Sequence, residues 1–365
     1  MNIVSVETTV IAVPYDYDGP RHQVAGKDWM TMDTLLVRVE TEDGLVGWGE
    51  GFGHGAIPAT RAALDSLVGP LMVGHDAEDI AATIMEAHRA VHLYGRGGPM
   101  SYALSAIDIA LWDLAGKRAG LPLARLLGGG AGPVPAYASL LRYGDPAVVA
   151  RNAEAAVAAG YGAVKLHEIT LAAVEAAREA VGPDVLLMND TNCPWTVEEA
   201  CGIADALKPM GLHWLEEPVW PPEDHAGLAT VRARGVPIAA GENAASLLDF
   251  RAMMQAGAVD IAQPSVTKIG GVTESRKVIA LGEAMGVRVV PHCAYFGPGF
   301  LASLHLAASM PERPMLERLF LDLAASPFSP WTEAKGGMLA VPDGPGLGCD
   351  PDPAVVEEYT VKAPA

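Results

Sequence analysis

Within "GYGAVKLHEIT", residues 160–170, Lys165 and His167 stand two apart in a short apolar run. Positions i and i+2 of a β-strand share a face. A strand here therefore aims an ammonium and an imidazole side by side out of an otherwise buried run. Further on, three apolar runs close on carboxylates: "VLLMND" on Asp190, "LHWLEEP" on Glu216 and "PIAAGEN" on Glu242, at spacings of 26 and 26. Carboxylates brought together repel unless a cation lies among them. Oxygen ligands on separate elements, with room left for water or substrate, favour Mg²⁺. Asn192, two residues after Asp190, can support such a shell. One acidic residue at a strand end is ordinarily a helix cap or a surface charge. Three at equal spacing speak for a site.

The elements that must position these residues are legible. From Val134 a short apolar strand followed by an Ala-rich helix recurs. The strands are "VPAYASL", "AVKLH", "VLLMND", "LHWLEEP", "PIAAGEN", "DIAQPS", "RVVPH" and "PMLE". Helices are predicted near 146–159, 171–181, 196–208, 223–234, 245–256, 272–285 and 298–309. Eight strands alternating with helices predict a parallel α/β barrel, whose strand C-termini converge on one mouth. A doubly wound sheet fits less well, because no Gly-rich phosphate turn follows the first strand. Residues 1–125 predict an α+β unit. Strands lie in "IVSVETTVIAV" and "DTLLVRVETEDGLVGWGEG", with a hairpin turn at Asp43-Gly44. Helices follow near 57–73, 78–92 and 99–119, the last stopped by Gly120. Residues 126–330 form the barrel, and the loop-rich segment 331–365 packs back on the first unit.

Lys+Arg number 25 and Asp+Glu 44, a net charge of −19. That balance argues against a nucleic-acid partner, which needs a basic patch. Four cysteines without a CxxC pair fit buried thiols in a reduced, cytoplasmic setting. The N-terminus lacks the basic and apolar blocks of a signal peptide, and no apolar run is long enough to predict a membrane span.

"VKLH", "MNDTN", "WLEEP", "GEN", "KIGGVTE", "VVPH" and "PMLE", in that order, resemble the enolase superfamily, in its mandelate racemase/muconate lactonizing enzyme branch. "GLVGWGEG", "YALSAIDIALWDLAGKRAGLPLARLLGG" and "VPDGPGLG" are similar to the same branch. The resemblance implies a modified TIM barrel, (β/α)₇β, with an N-terminal α+β capping domain completed by the C-terminal tail. It implies one Mg²⁺ per active site on Asp190, Glu216 and Glu242, a small-molecule carboxylate substrate and a homo-oligomer. It also implies a reaction that begins by removing the proton α to that carboxylate, with a Lys or His base. Lys165 and His167 address the substrate from one side and His292 from the other. Glu317 resembles the acid that hydrogen-bonds the substrate carboxylate.

Two departures bear on the reaction. The branch usually carries Lys-x-Lys where this chain has Lys165 and His167, and either can be the base. Lys165 would lower the imidazole by like-charge repulsion. Ser265 stands where an Asp or a catalytic Lys is usual, and Lys268 matches a supporting lysine. Without that Asp, His292 lacks the partner that would raise and orient it, which counts against a two-base racemase and leaves His292 as a general acid for a departing hydroxyl or without a chemical role. The leading reading is dehydration of a hydroxy acid or sugar acid to a 2-keto acid. A racemase, epimerase or cycloisomerase is the alternative, and a non-catalytic metal-dependent binder the third. His22 and Arg21, and His54 in "GFGHGAI", lie in loops where that family's capping domain meets substrate. Arg96 is either a substrate contact or an ion-pair partner. His213 points away from the mouth, and His305 reads as helical core.

Overall fold

The computed structural model describes residues 1–21, 23–24, 26–130 and 132–362, apart from the side chains of Val24 and Lys27. The barrel strands are Val134–Ser139, Ala163–Leu166, Leu186–Asp190, Trp214–Glu216, Ile238–Ala240, Ile261–Ala262, Arg288–Val289 and Leu316–Leu319. Each of the first six pairs in parallel with the next, and the eighth pairs with the first. A helix follows each of the first seven: Pro146–Ala158, Leu171–Val181, Val197–Leu207, His225–Arg232, Leu247–Gln255, Gly271–Met285 and Pro298–Ser309. The expected (β/α)₇β order is the observed one.

Strand alternation builds the site in layers. Tyr137, Ala163, Met188, Trp214, Ala239, Ile261 and Val290, with Met315 against them, plug the barrel as one apolar cluster. Two residues further along each strand, the same inward face presents Ser139, Lys165, Asp190, Glu216, Gly241, Gln263, His292 and Glu317. The period of two thus converts a hydrophobic plug into a ring of polar groups directly above it. Gly241, at φ 139°, takes the inward position of the fifth strand, where a Cβ would meet the Phe250 ring. The next residue, Glu242, is the one that enters the ring.

In the N-terminal unit, strands Ile3–Asp16, Thr31–Thr41 and Val46–Gly51 form an antiparallel sheet. Leu35, Val37 and Val39 on one face pack on helices Ile57–Ala63, Ile80–Val91 and Pro99–Ala119. Gly47 and Gly49 admit that last helix, because a Cβ on either would strike the backbone at Ala110 or Ala106. Gly120 ends the helix in the left-handed conformation, as expected. The tail makes two kinds of contact. Residues 334–339 form a hairpin beside Val134 and Pro135 of the barrel. Beyond it, Leu347 N–H donates to Asp113 at 2.7 Å, and Thr360 bridges to Ile11. Among the described residues no helix is long and apolar enough to cross a membrane.

Two buried carboxyls of the N-terminal unit, Glu50 and Asp108, reach into the barrel. Burial pushes each up to about 7, although backbone amides at Gly299 and Gly297, and at Thr273 and Val272, pull the other way. A carboxyl whose folded pKa lies above its unfolded value stabilises below the unfolded pKa and loses that contribution as pH rises through the folded one. Thermal melts in EDTA at pH 5 and pH 8 should therefore show wild type losing more Tm on the alkaline side than an E50Q/D108N variant. A larger alkaline loss in the variant would contradict the sign.

Candidate active site

Asp190, Glu216 and Glu242 each place a carboxylate oxygen within 4.8 Å of the other two. That is close to the span across one octahedral Mg²⁺, about 4 Å, so the donor set fits a hard divalent cation. Their neighbours hold them. Trp214 Nε1 and Gln263 Nε2 both donate to Glu216 Oε2 at 2.9 Å. The backbone N–H and side-chain amide of Asn192 both donate to Asp190 Oδ1 at 3.0 Å. Burial and the Asp190 charge push Glu216 up to about 7. Burial also opposes ionisation of Asp190 and Glu242, but basic neighbours outweigh it: Lys165 and His167 beside Asp190, Lys268 and His292 beside Glu242.

Lys165 is fully buried beneath this set. Its ammonium lies 3.2 Å from Asp190, 3.1 Å from Glu216 and 2.8 Å from Glu317. Burial would lower it, but the three carboxylates hold it well above the ordinary lysine range. Glu317 is engaged on both oxygens, by Ser139 Oγ at 2.7 Å and Cys293 N–H at 3.0 Å. Despite burial, Lys165 and His292 press it down to about 2. Both of its oxygens are thus held as acceptors by the protein around them. Removing one member of a buried ionic set costs about 3–5 kcal/mol. A Lys165→Met variant in EDTA should be destabilised on that scale and gain more Tm from Mg²⁺ than wild type does. Equal melting of the two proteins in EDTA would show the carboxylates to be balanced elsewhere.

His167 Nδ1 lies 2.5 Å from the Leu140 carbonyl. A carbonyl only accepts, so Nδ1 carries the proton and the neutral imidazole keeps its lone pair on Nε2. Nε2 lies 3.4 Å from Asp190. Burial and Lys165 work to lower this imidazole, as expected, but the Asp190 hydrogen bond and charge prevail and raise it. The expected depression is therefore corrected: the neighbour that governs His167 is across the strand pair, not along its own strand. Arg142 was not anticipated. It donates to the carbonyls of His167 at 2.7 Å and Thr191 at 3.1 Å, and to Asn192 Oδ1 at 3.1 Å. It ties the second and third strand ends together.

Opposite them, His292 Nε2 lies 2.8 Å from Glu242. Its Nδ1 is buried and finds no hydrogen-bond partner among the described residues. Ser265 Oγ instead meets the Tyr295 hydroxyl at 3.3 Å. Lys268 lies 3.9 Å from Glu242, with its ammonium 4.4 Å from the Phe52 ring centre. His54 comes from the N-terminal unit, edge-on to Trp29 and Phe52 at 5.0 and 4.9 Å. Burial, with the nearby Lys268 and His292 charges, pushes it down to about 4, so it is neutral at pH 7. His22 lies outside the described residues. His305 is core: Ala124 N–H donates to its Nδ1 at 3.2 Å, and its Nε2 meets the Leu347 carbonyl at 3.1 Å. Glu217, buried beside Cys193 and Asn243, was also missed.

A polar ring of this kind at a barrel mouth, under a second α+β unit, matches known families. The model described as mandelate racemase/muconate lactonizing enzyme, N-terminal domain, covers residues 5–128, and the one described as enolase C-terminal domain-like covers 148–355. The chain belongs to the mandelate racemase/muconate lactonizing enzyme branch of the enolase superfamily. A 3,6-anhydro-alpha-L-galactonate cycloisomerase of Streptomyces coelicolor is 36% identical over 87% of this chain and 89% of its own. An arabinonate dehydratase of Saccharolobus solfataricus is 33% identical over 91% and 92%. Among solved structures, a racemase from Streptomyces coelicolor with bound magnesium superposes with a TM-score of 0.84 at 33% identity, covering 98% of this chain and 100% of that one. The chain is an enzyme of this superfamily, and a non-catalytic reading no longer fits.

Proposed function

We propose that the enzyme removes the proton α to the carboxylate of a sugar acid and then expels an oxygen from the β-carbon, giving a 2-keto acid. Asp190, Glu216 and Glu242 would hold one Mg²⁺. When bound, the ion neutralises the charge that develops on the substrate carboxylate as the proton leaves. His167 Nε2 takes the proton, because its tautomer is already set by Leu140. Lys165, anchored by Glu317, supplies fixed positive charge beside the reacting carboxylate. His292 delivers a proton to the departing oxygen from the other side.

One observation carries elimination over racemisation: the two histidines are unequally equipped. His167 has its Nδ1 proton engaged and Asp190 beside it. His292 is bridged through its backbone to Ser265, not to a carboxylate, and its Nδ1 has no hydrogen-bond partner among the described residues, which gives no support to the role of a second base. The relatives support the same reading, since they include a dehydratase and a cycloisomerase. An oxygen lost from the β-carbon leaves as water if free and stays attached if it is part of a ring. One elimination therefore serves a dehydratase and a ring-opening isomerase alike. Incubation with Mg²⁺ and a panel of sugar acids, their lactones and anhydro acids should yield a 2-keto acid from at least one member. No keto acid from any member would sink the proposal. Recovered substrate of inverted configuration carrying solvent deuterium would favour an epimerase.

A further inference from the structure

Helix starts leave amides that a side chain commonly accepts. Four barrel helices are served by their own preceding residue. Asp145 accepts from Ala147, Thr196 from Glu199, Asp224 from Gly227 and Ser246 from Asp249. The helices Gly271–Met285 and Pro298–Ser309 instead follow Gly270 and Gly297, which have no side chain to offer. Their amides are served from the other domain. Asp108 Oδ1, buried on helix Pro99–Ala119, accepts from Thr273 N–H at 3.0 Å. Glu50 Oε2, on strand Val46–Gly51, accepts from Gly299 N–H at 2.8 Å. Glycine is what admits them. A Cβ on Gly271 would strike the Asp108 carboxyl, and one on Gly297 or Gly299 would come within 2.6 or 3.0 Å of Glu50 Oε2.

These helices follow the sixth and seventh strands, whose ends carry Ser265, Lys268 and His292. Helix Pro99–Ala119 also grips the first connection directly. Ser101 Oγ donates to the Lys268 carbonyl at 2.7 Å, and Gly270 N–H donates to Ser105 Oγ at 2.8 Å. Glu50 stands four residues before His54, the capping-domain residue that faces the same side. The His167 side is held otherwise, within the barrel, by Arg142, Asn192 and the Leu140 carbonyl.

We propose that Glu50 and Asp108 are positioning residues: by capping two barrel helices across the domain boundary, they set the pose of Lys268 and His292. That role rests on the site reading above. Half of the mouth is then built by the barrel alone, and the other half is in place only with the capping domain docked.

The test is hydrogen–deuterium exchange on the full chain, comparing E50A and D108A with E50Q and D108N. Loss of a helix cap should speed exchange about tenfold, in peptides spanning 288–301 for E50A and 264–273 for D108A, with 163–192 unchanged. The amide variants, which still offer one acceptor oxygen, should show about two- to threefold in the same peptides. On any acid that wild type turns over, kcat should fall about tenfold in the alanine variants, with KM moving less than about threefold. Unchanged exchange, uniform loosening, or a wild-type kcat in spite of loosened peptides each overturns the proposal. If the alanine variants do not fold, the same peptides in E50Q and D108N decide. If wild type turns over no acid, the site reading fails and the exchange pattern still decides this one.

Discussion

Replacing His167 by alanine is expected to slow exchange of the substrate α-proton about 10²–10⁴-fold, the usual worth of a positioned general base. The expectation rests on which nitrogen is free. Nδ1 is committed to the Leu140 carbonyl, which leaves Nε2 as the basic atom at the mouth. On the proposed reading Lys165 stays charged and does not take the proton. Its three protons face three carboxylates, and it would have to release one from a set that holds it charged. Binding of Mg²⁺ should be kept, because Asp190, Glu216 and Glu242 all remain and Lys165 still lies 3.2 Å from Asp190. Proton NMR of a turned-over acid in D₂O measures the exchange rate directly. An H167A rate within about threefold of wild type would move the base elsewhere, and Lys165 would be the next residue to test.

Glu216→Gln should cost the cation, and with it all measurable turnover. Both donors on Glu216 Oε2, Trp214 Nε1 and Gln263 Nε2, need an acceptor. The glutamine oxygen can satisfy them only by turning its NH₂ group towards Lys165 and the ligand cluster, where it repels a cation. Turned the other way, it sets donor against donor in a fully buried place. Either orientation weakens Mg²⁺ binding by at least about 100-fold, beyond the loss typical of a disturbed outer partner. Calorimetric titration of Mg²⁺ into wild type and E216Q reads this without any substrate. Affinities within about threefold would place the ion away from Glu216.

The barrel and the ring of side chains at its mouth were legible because strand alternation is a local rule. Once Lys165 and His167 are placed on one face, Asp190, Glu216 and His292 follow from the same period on their own strands. Glu242 follows from equal spacing, although it reaches the ring only because Gly241 shifts the phase. The direction in which His167 is shifted was not legible. Its sequence neighbour Lys165 argues for depression, whereas the stronger influence, Asp190, is adjacent only after strands pair. The partners of Glu317 were hidden for a similar reason: nothing near it in the chain announces that Lys165 ends 2.8 Å away. Arg142 looks like any loop arginine until three acceptors from two other strand ends converge on it. The partners of Glu50 and Asp108 are 249 and 165 residues distant along the chain. A glycine gives no sign that its missing side chain makes room for a carboxylate from elsewhere.

The central claim is that one face of the substrate loses its α-proton to His167 and that an oxygen then leaves from the β-carbon. The most direct test is NMR of the wild-type enzyme in D₂O with Mg²⁺ and a sugar acid that it consumes. The expected result is a 2-keto acid with solvent deuterium at the former β-carbon, and recovered substrate of unchanged configuration. Recovered substrate with inverted configuration and deuterium at the α-carbon, without keto acid, would contradict it.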